Sequence, residues 1–176
     1  HMRLIMEELE LKQEDRAPVK PARAYAERLM KRTVDNEIPA VIAFELNDGR
    51  IITGRTSDLM DACSSAILNA IKALANISDD ILLLSPVILE PIKKLKSDGL
   101  HKRIPTLTAN EILIALSISA VTNPTAQLAY DKLSELKDVQ AHSTVILNKD
   151  DDQILRNLGL DITCDPVYPS ENLYYV

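Results

Sequence analysis

Aromatic side chains are scarce in this sequence, which has no tryptophan and a single phenylalanine, Phe44. The core must therefore be built from aliphatic side chains, which suits helices packed on a largely buried sheet. Hydrophobic residues make up 46% and charged residues 26% of the 176 residues. These proportions, with the length, predict one soluble globular domain.

Cysteines and long apolar runs are also scarce. Cys63 and Cys164 stand far apart and form no Cys-x-x-Cys pair, so neither a disulfide scaffold nor a structural zinc site is predicted. This use of cysteine is typical of a reducing compartment, and we expect a cytoplasmic protein. No apolar run approaches the roughly 20 residues that a membrane span needs, so no membrane partner is predicted.

Glycine occurs only four times, and never in the spacing that cradles a phosphate. The formal net charge of −6 opposes the attraction to phosphates on which most nucleic-acid binding depends. The sequence therefore predicts no cofactor, no metal ion and no nucleic-acid partner.

Local signals along the chain predict an alternation of helices and strands. Residues 1–17 are interpreted as a tag remnant and a charged lead-in, and residues 18–176 as one α/β domain. Asp48-Gly49 between two strand-like runs predicts a β-hairpin, and Thr108 with Glu111 predicts a capping box. The predicted helices cover 18–33, 57–76, a stretch from Ser85-Pro86, 108–123, 125–136 and 150–158; the predicted strands cover 40–46, 50–54, 81–84, 143–147 and 161–164.

These elements predict a three-layer α/β/α sandwich, with a five-stranded mixed sheet, the hairpin at one side and helices on both faces. Pro91 leaves two alternatives for the helix that contains it, a kink or a fresh start, because proline in a helix interior loses a hydrogen bond. Cys63, Ser64 and Ser65 lie among small residues, which favours close packing on the sheet over chemistry.

Several stretches together resemble the C-terminal part of a large bacterial family known only as a domain of unknown function. They are GRIITGRTSDLMDACSSAILNAIKALA, ILLLSPVILEPIKKLK, LTANEILIALSISAVTNPTAQLA, AHSTVIL and LGLDITCDP. The resemblance implies a parent protein of several hundred residues, whose N-terminal half carries a phosphate-loop-like glycine-rich segment. That segment is not in this chain.

The order of elements also resembles the cytidine-deaminase-like scaffold. Metal-dependent members of that group place zinc ligands and a proton-shuttling Glu at two helix starts. Here those places hold Ser65-Ala66-Ile67 and Pro86-Val87-Ile88-Leu89-Glu90. Without the ligands no metal can activate a water molecule, so deaminase chemistry is not expected.

Two predicted helix starts are candidates for anion binding, because free N–H groups and the helix dipole favour negative charge there. The first is the stretch Gly54 to Asp58, where Arg55 can clamp an anion beside Thr56 and Ser57; the second is Ser85-Pro86. Simple capping is the alternative at both.

Three further features suggest contacts. Lys93 and Lys94 open a basic stretch that continues to Arg103 and suits a phosphate, an acidic partner or a solvated helix end. His142 and Cys164 could form a nucleophilic pair only if their strands were antiparallel, since we expect them at opposite strand ends. Three tyrosines near the end of the chain suit a contact surface or packing on the domain itself: Tyr168, Tyr174 and Tyr175.

The function favoured by these observations is that of a non-catalytic accessory or assembly domain of a larger bacterial protein. The expected partners are the N-terminal half of that protein and further copies in a homo-oligomer. The alternative is a domain that binds a phosphorylated small molecule or nucleotide near Arg55, Ser57 and Ser85. Whether the parent protein is an enzyme stays open, and no turnover is expected of this domain alone.

Overall fold

The computed structural model describes residues 15–32 and 39–169. Within these ranges one sheet is formed by β1 (Val41–Glu45), β2 (Ile51–Arg55), β3 (Gln140–Ser143) and β4 (Asp161–Cys164), in the spatial order β2-β1-β3-β4. β1 pairs antiparallel with β2 and β3, whereas β3 and β4 are parallel. The predicted α/β class, the mixed sheet and the hairpin at one edge are confirmed.

Six α-helices lie in the described ranges: α1 (Val19–Met30), α2 (Ala62–Leu74), α3 (Pro86–Lys94), α4 (Ala109–Ala120), α5 (Pro124–Tyr130) and α6 (Lys149–Asn157). A π-helical turn, Leu95–Gly99, follows α3, and a 3-10 turn, Leu133–Leu136, precedes β3. The capping box of Thr108 and Glu111 at the start of α4 is confirmed. Each helix in the described part of the chain is too short or too polar to cross a bilayer.

Helices cover both faces of the sheet, but unequally. Successive strand residues point to opposite faces. Val41 and Ala43 face α1, where they form a small apolar cluster with Ala22 and Ala26, against which Tyr25 and Leu29 also pack. Their neighbours on β1 point the other way, into the main aliphatic core formed with the remaining helices.

The fifth strand, predicted over Ile81–Leu84, does not form, so the described sheet has four strands. This segment folds as a turn after α2, with the Ile81 N–H donating to the Ser78 carbonyl. Leu83 and Leu84 are buried in the main core, while Leu82 is exposed. The run is apolar because two of its side chains fill the core, and the cytidine-deaminase-like order, which needs this strand, is not confirmed.

The start predicted for the helix at Ser57 is wrong. Ser57 and Asp58 lie in a turn in which the Met60 N–H donates to Ser57 Oγ at 3.3 Å. α2 begins at Ala62, where Asp61 is the N-cap and accepts from the Ser64 N–H at 2.9 Å. Asp61 is a better N-cap than Ser57 because its carboxylate accepts from two donors of Ser64, the N–H and the hydroxyl.

The fourth predicted strand is shifted towards the N-terminus. Residues 143–147 were expected to be extended, but β3 ends at Ser143. The Ser143 hydroxyl donates to the Val145 carbonyl at 2.6 Å, and this local turn replaces the strand ladder. At Pro91, α3 continues without a fresh start, and residue 33 of the predicted first helix lies outside the described residues.

Candidate functional site

Two clefts lie on either side of the short segment that follows β2. Thr56 borders the first, which we call the N-terminal cleft, and Arg55 and Ser57 border the second, which we call the edge groove. The stretch from Gly54 to Asp58, which was predicted to bind one anion, is thus divided between the two clefts. Asp58 is exposed and borders neither of them.

The N-terminal cleft encloses about 390 Å³ where the N-termini of α2, α4 and α6 meet. Its lining includes the N-cap residue of each helix, Asp61, Thr108 and Asn148. Three helix N-termini would together favour a negative charge if their N–H groups were free.

Side chains of the protein already occupy N–H groups at this junction. Asp151 Oδ1 accepts from the Ala109 N–H at 3.1 Å, and Asn148 Oδ1 accepts from the Asp151 N–H at 2.8 Å. Asp61 accepts from the Ser64 N–H in the same way. An external anion would have to displace these acceptors, so the geometry argues against a phosphate site here.

Asp61 and Asp151 form a buried carboxyl pair between α2 and α6. Burial, the hydrogen bond with Asp151 and its charge raise the pKa of Asp61 well above its usual value. Two carboxylates in contact cannot both be ionised at low cost, so the pair retains a proton. The pair can therefore hold or release one proton at the edge of the cleft.

Part of the predicted basic stretch is buried beside this cleft. Lys96 Nζ lies 2.7 Å from Glu111 Oε1 and donates to the Thr106 carbonyl at 2.6 Å. Lys102 borders the same cleft. Lys93 and Lys94 lie on α3 and border neither cleft, so the stretch does not form one anion site.

The edge groove encloses about 480 Å³ beside the outer edge of β2. Its floor is α2, which approaches β2 so closely that a Cβ atom on Gly54 would lie 2.2 Å from the Ala66 nitrogen. The segment 82–84 forms the opposite wall. Lys72, which the sequence analysis did not single out, also borders this groove.

Ser85 lies outside both clefts. Its side chain makes no capping hydrogen bond, while its carbonyl accepts from the N–H groups of Ile88 and Leu89 in the first turn of α3. Pro86 at the first helical position removes one N–H donor. The structure does not bring Ser85 together with Arg55 and Ser57.

His142 is fully buried on the face of the sheet that α1 covers. Its Nδ1 lies 2.7 Å from Thr163 Oγ1, and its Nε2 lies 3.0 Å from Asp165 Oδ1 at an angle outside that of a hydrogen bond. Burial lowers the pKa of His142, although Asp165 opposes this shift, so the imidazole is neutral. Arg23 also binds Asp165, with its Nη2 2.7 Å from Oδ1.

Arg16 completes this polar layer. It donates to Thr163 Oγ1, to Gln140 Oε1 and to the carbonyls of Ala141 and Asp161. The layer ties the segment before α1 to β3 and β4. His142 is therefore enclosed by the polar groups of this layer and borders neither cleft, although its Nε2 has no hydrogen-bond partner among the described residues.

His142 and Cys164 do not form a nucleophilic pair. The strands are parallel, and His142 pairs in register with Thr163 while Ser143 pairs with Cys164. The two residues are therefore close in register, not at opposite strand ends as expected, but point to opposite faces. Burial raises the pKa of both thiols, Cys63 and Cys164, which disfavours the reactive thiolate.

The sequence analysis gave no role to three residues that shape these sites: Asp61 in the N-terminal cleft, its buried partner Asp151, and Lys72 in the edge groove. A local signal exists for the first two, because Asp61 with Ser64 and Asn148 with Asp151 have the spacing of helix caps. No local signal distinguishes Lys72 from a surface lysine. Among the described residues no group of three or more His, Cys, Asp and Glu side chains is arranged to hold a metal ion.

The fold and its caps define a small α/β domain with two clefts in its described part. The family comparison places it more closely: residues 14–174 match the C-terminal domain of unknown function DUF1846, and the chain belongs to that family.

Two relatives are UPF0371 proteins. The one from Clostridium tetani (strain Massachusetts / E88) is 59% identical over 98% of this chain and 34% of its own length. The one from Clostridioides difficile (strain 630) is 59% identical over 99% of this chain and 35% of its own length. The chain thus spans about a third of the curated relatives it matches.

Proposed function

We propose that this chain is a non-catalytic assembly domain of a longer bacterial protein, and that one face of α4 packs against the rest of that protein. The supporting observation is a set of large apolar side chains that are each more than half exposed. Ile114 and Ile118 follow one stripe along α4, Val121 continues this stripe at the C-cap, and α5 adds Leu128.

The stripe is unusual because the opposite side of α4 is also apolar. Ile112 and Leu116 are fully buried in the main core. A helix that is hydrophobic on all sides is typically buried on all sides. Exposed apolar patches of this kind mark contact surfaces in soluble proteins.

The occupant that we propose is the remaining part of the polypeptide, because the relatives have about two thirds of their length outside the region that matches this chain. A second copy of the domain is the competing occupant. The predicted homo-oligomer, the cytoplasmic location and the phosphate-loop-like segment of the N-terminal half stay proposals about the longer protein.

The test replaces Val121 by Lys in the full-length protein that contains this domain. A charge buried at a domain interface is costly, so we expect Val121→Lys to lower the thermal midpoint and to make the full-length protein more sensitive to limited proteolysis. In the isolated domain the same change should leave the midpoint unaltered, because Val121 is 81% exposed there.

Val87→Lys is the matched control, since Val87 is 82% exposed on α3 and lies outside the stripe. Equal effects of the two variants on the full-length protein would contradict the proposal. So would a concentration-dependent dimer of the isolated domain that Val121→Lys dissociates, because a second copy would then be the occupant.

A further inference from the structure

The edge groove contains an unbalanced positive charge. Lys72 is only 7% exposed, and its Nζ donates to the carbonyl of Asp79 at 3.0 Å. No carboxylate of the described residues lies within ion-pair distance of it. A buried ammonium group is normally paired with an anion, so Lys72 lacks the partner that its burial calls for.

Arg55 also borders this groove and provides a second cation. Its guanidinium also has no ion pair within residues 15–32 and 39–169. The groove lining contains no Asp or Glu at all, although the whole chain carries a net charge of −6. The groove is thus a positively charged surface on an acidic protein. Such a surface attracts anionic ligands.

The two cations lie on different elements that border the groove. Gly54, next to Arg55, approaches α2 at Ala66, and Lys72 lies further along the same helix. At the helical rise of about 1.5 Å per residue, the backbone of Lys72 is about 9 Å along the helix axis from this approach. The wall between them is apolar, formed by Leu68 and by the leucines of the segment 82–84.

We infer that the edge groove binds an elongated small molecule with an anionic group at each end and an apolar middle. One anionic group of the ligand binds Arg55, where the Ser57 hydroxyl can also donate to it. The other anionic group pairs with the ammonium group of Lys72 and neutralises its charge. The apolar middle covers Leu68 and the leucine wall. This inference goes beyond the assembly role and does not depend on it.

A small molecule fits this groove better than an added peptide strand. The outer edge of β2 is partly closed, because Asn69 Nδ2 donates to the Thr53 carbonyl at 3.0 Å. Such a side-chain contact blocks the ladder that strand addition needs. The donors that remain in the groove are cationic groups and hydroxyls, which suit carboxylate or phosphate ends.

The experiment titrates the domain with linear dicarboxylates of increasing length and follows its backbone amide signals by NMR. Suberate, whose longer apolar chain can lie along the leucine wall between its two carboxylates, should bind more tightly than the shorter succinate and should shift the amides of both Arg55 and Lys72. Octanoate, with one carboxylate, and the neutral diol of the same length should bind more weakly than suberate.

Arg55→Ala is the test variant, because Arg55 is exposed and its loss should not affect folding. Removing one charged contact should weaken suberate binding roughly tenfold or more. Lys94→Ala, an exposed cation on α3 outside the groove, should leave it unchanged. The inference would be overturned if succinate and suberate bound with equal affinity, or if Arg55→Ala bound suberate as tightly as the parent. It would also be overturned if the amide shifts were confined to other surfaces, or if none of the acids bound.

Discussion

The buried carboxyl group of Asp61 links the stability of this domain to pH. Its pKa is raised by burial and by Asp151, so the folded state keeps a proton that the unfolded chain releases near pH ~4. A raised pKa contributes stability that is complete below the unfolded pKa and is lost as the pH rises through the folded pKa. The domain should therefore lose stability from this group on going from acid to neutral pH.

Asp61→Asn should remove this loss of stability between acid and neutral pH. Asparagine is as good an N-cap as aspartate, and its amide can donate to Asp151 without a shared proton. We expect the variant to exceed the parent in free energy of unfolding by on the order of 1 kcal/mol at about pH 8, and to lose this advantage near pH ~4. Urea unfolding at both pH values measures the difference.

Asp58→Asn is the control for this prediction, because Asp58 is exposed and lies three residues earlier in the same turn. It should change stability little at either pH. A lower stability of Asp61→Asn than of the parent at the higher pH would mean that Asp61 is needed as a carboxylate. The proton assigned to the pair would then be wrong.

At the scale of elements, β2 and α2 approach each other very closely at Gly54. A methyl group there would overlap the backbone of Ala66, which cannot move without shifting the helix. We expect Gly54→Ala to lower the free energy of unfolding by roughly 1–3 kcal/mol. Gly99→Ala is the control, because its new methyl group would meet only the end of the exposed Leu95 side chain. Chemical denaturation of both variants tests the contact, and equal losses would contradict it.

Elements with local signals could be predicted from the sequence, and those fixed by distant contacts could not. The Asp48-Gly49 hairpin, the capping box at Thr108 and the strand 161–164 carry their own turn, cap and strand residues. The run Ile81–Leu84 does not, because apolar side chains suit a buried strand and a core-filling turn equally. The clefts depend on pairs far apart in the chain, such as Asp61 with Asp151, whose contact only the fold decides.

At the scale of the whole molecule, the two faces of the sheet are held unequally. The face towards α2 carries the main aliphatic core. On the other face, α1 is held by a much smaller apolar cluster, to which it contributes Ala22, Ala26, Tyr25 and Leu29, and by polar contacts such as that between Arg23 and Asp165. Because burial of apolar area is the main stabilising term, α1 should open at lower free energy than the rest of the domain.

Native-state hydrogen exchange tests this difference directly. The amides of α1 should exchange by an opening that costs less than global unfolding, while buried amides of α2 should exchange only by global unfolding. Asp165→Asn weakens the ion pair with Arg23 and should speed exchange in α1 more than in α2. Asp152→Asn, which removes the exposed pair with Arg156 on α6, is the matched control and should leave α1 unchanged. If α1 and α2 exchange with the same free energy in the parent protein, the polar layer around His142 stabilises α1 as firmly as the aliphatic core stabilises α2.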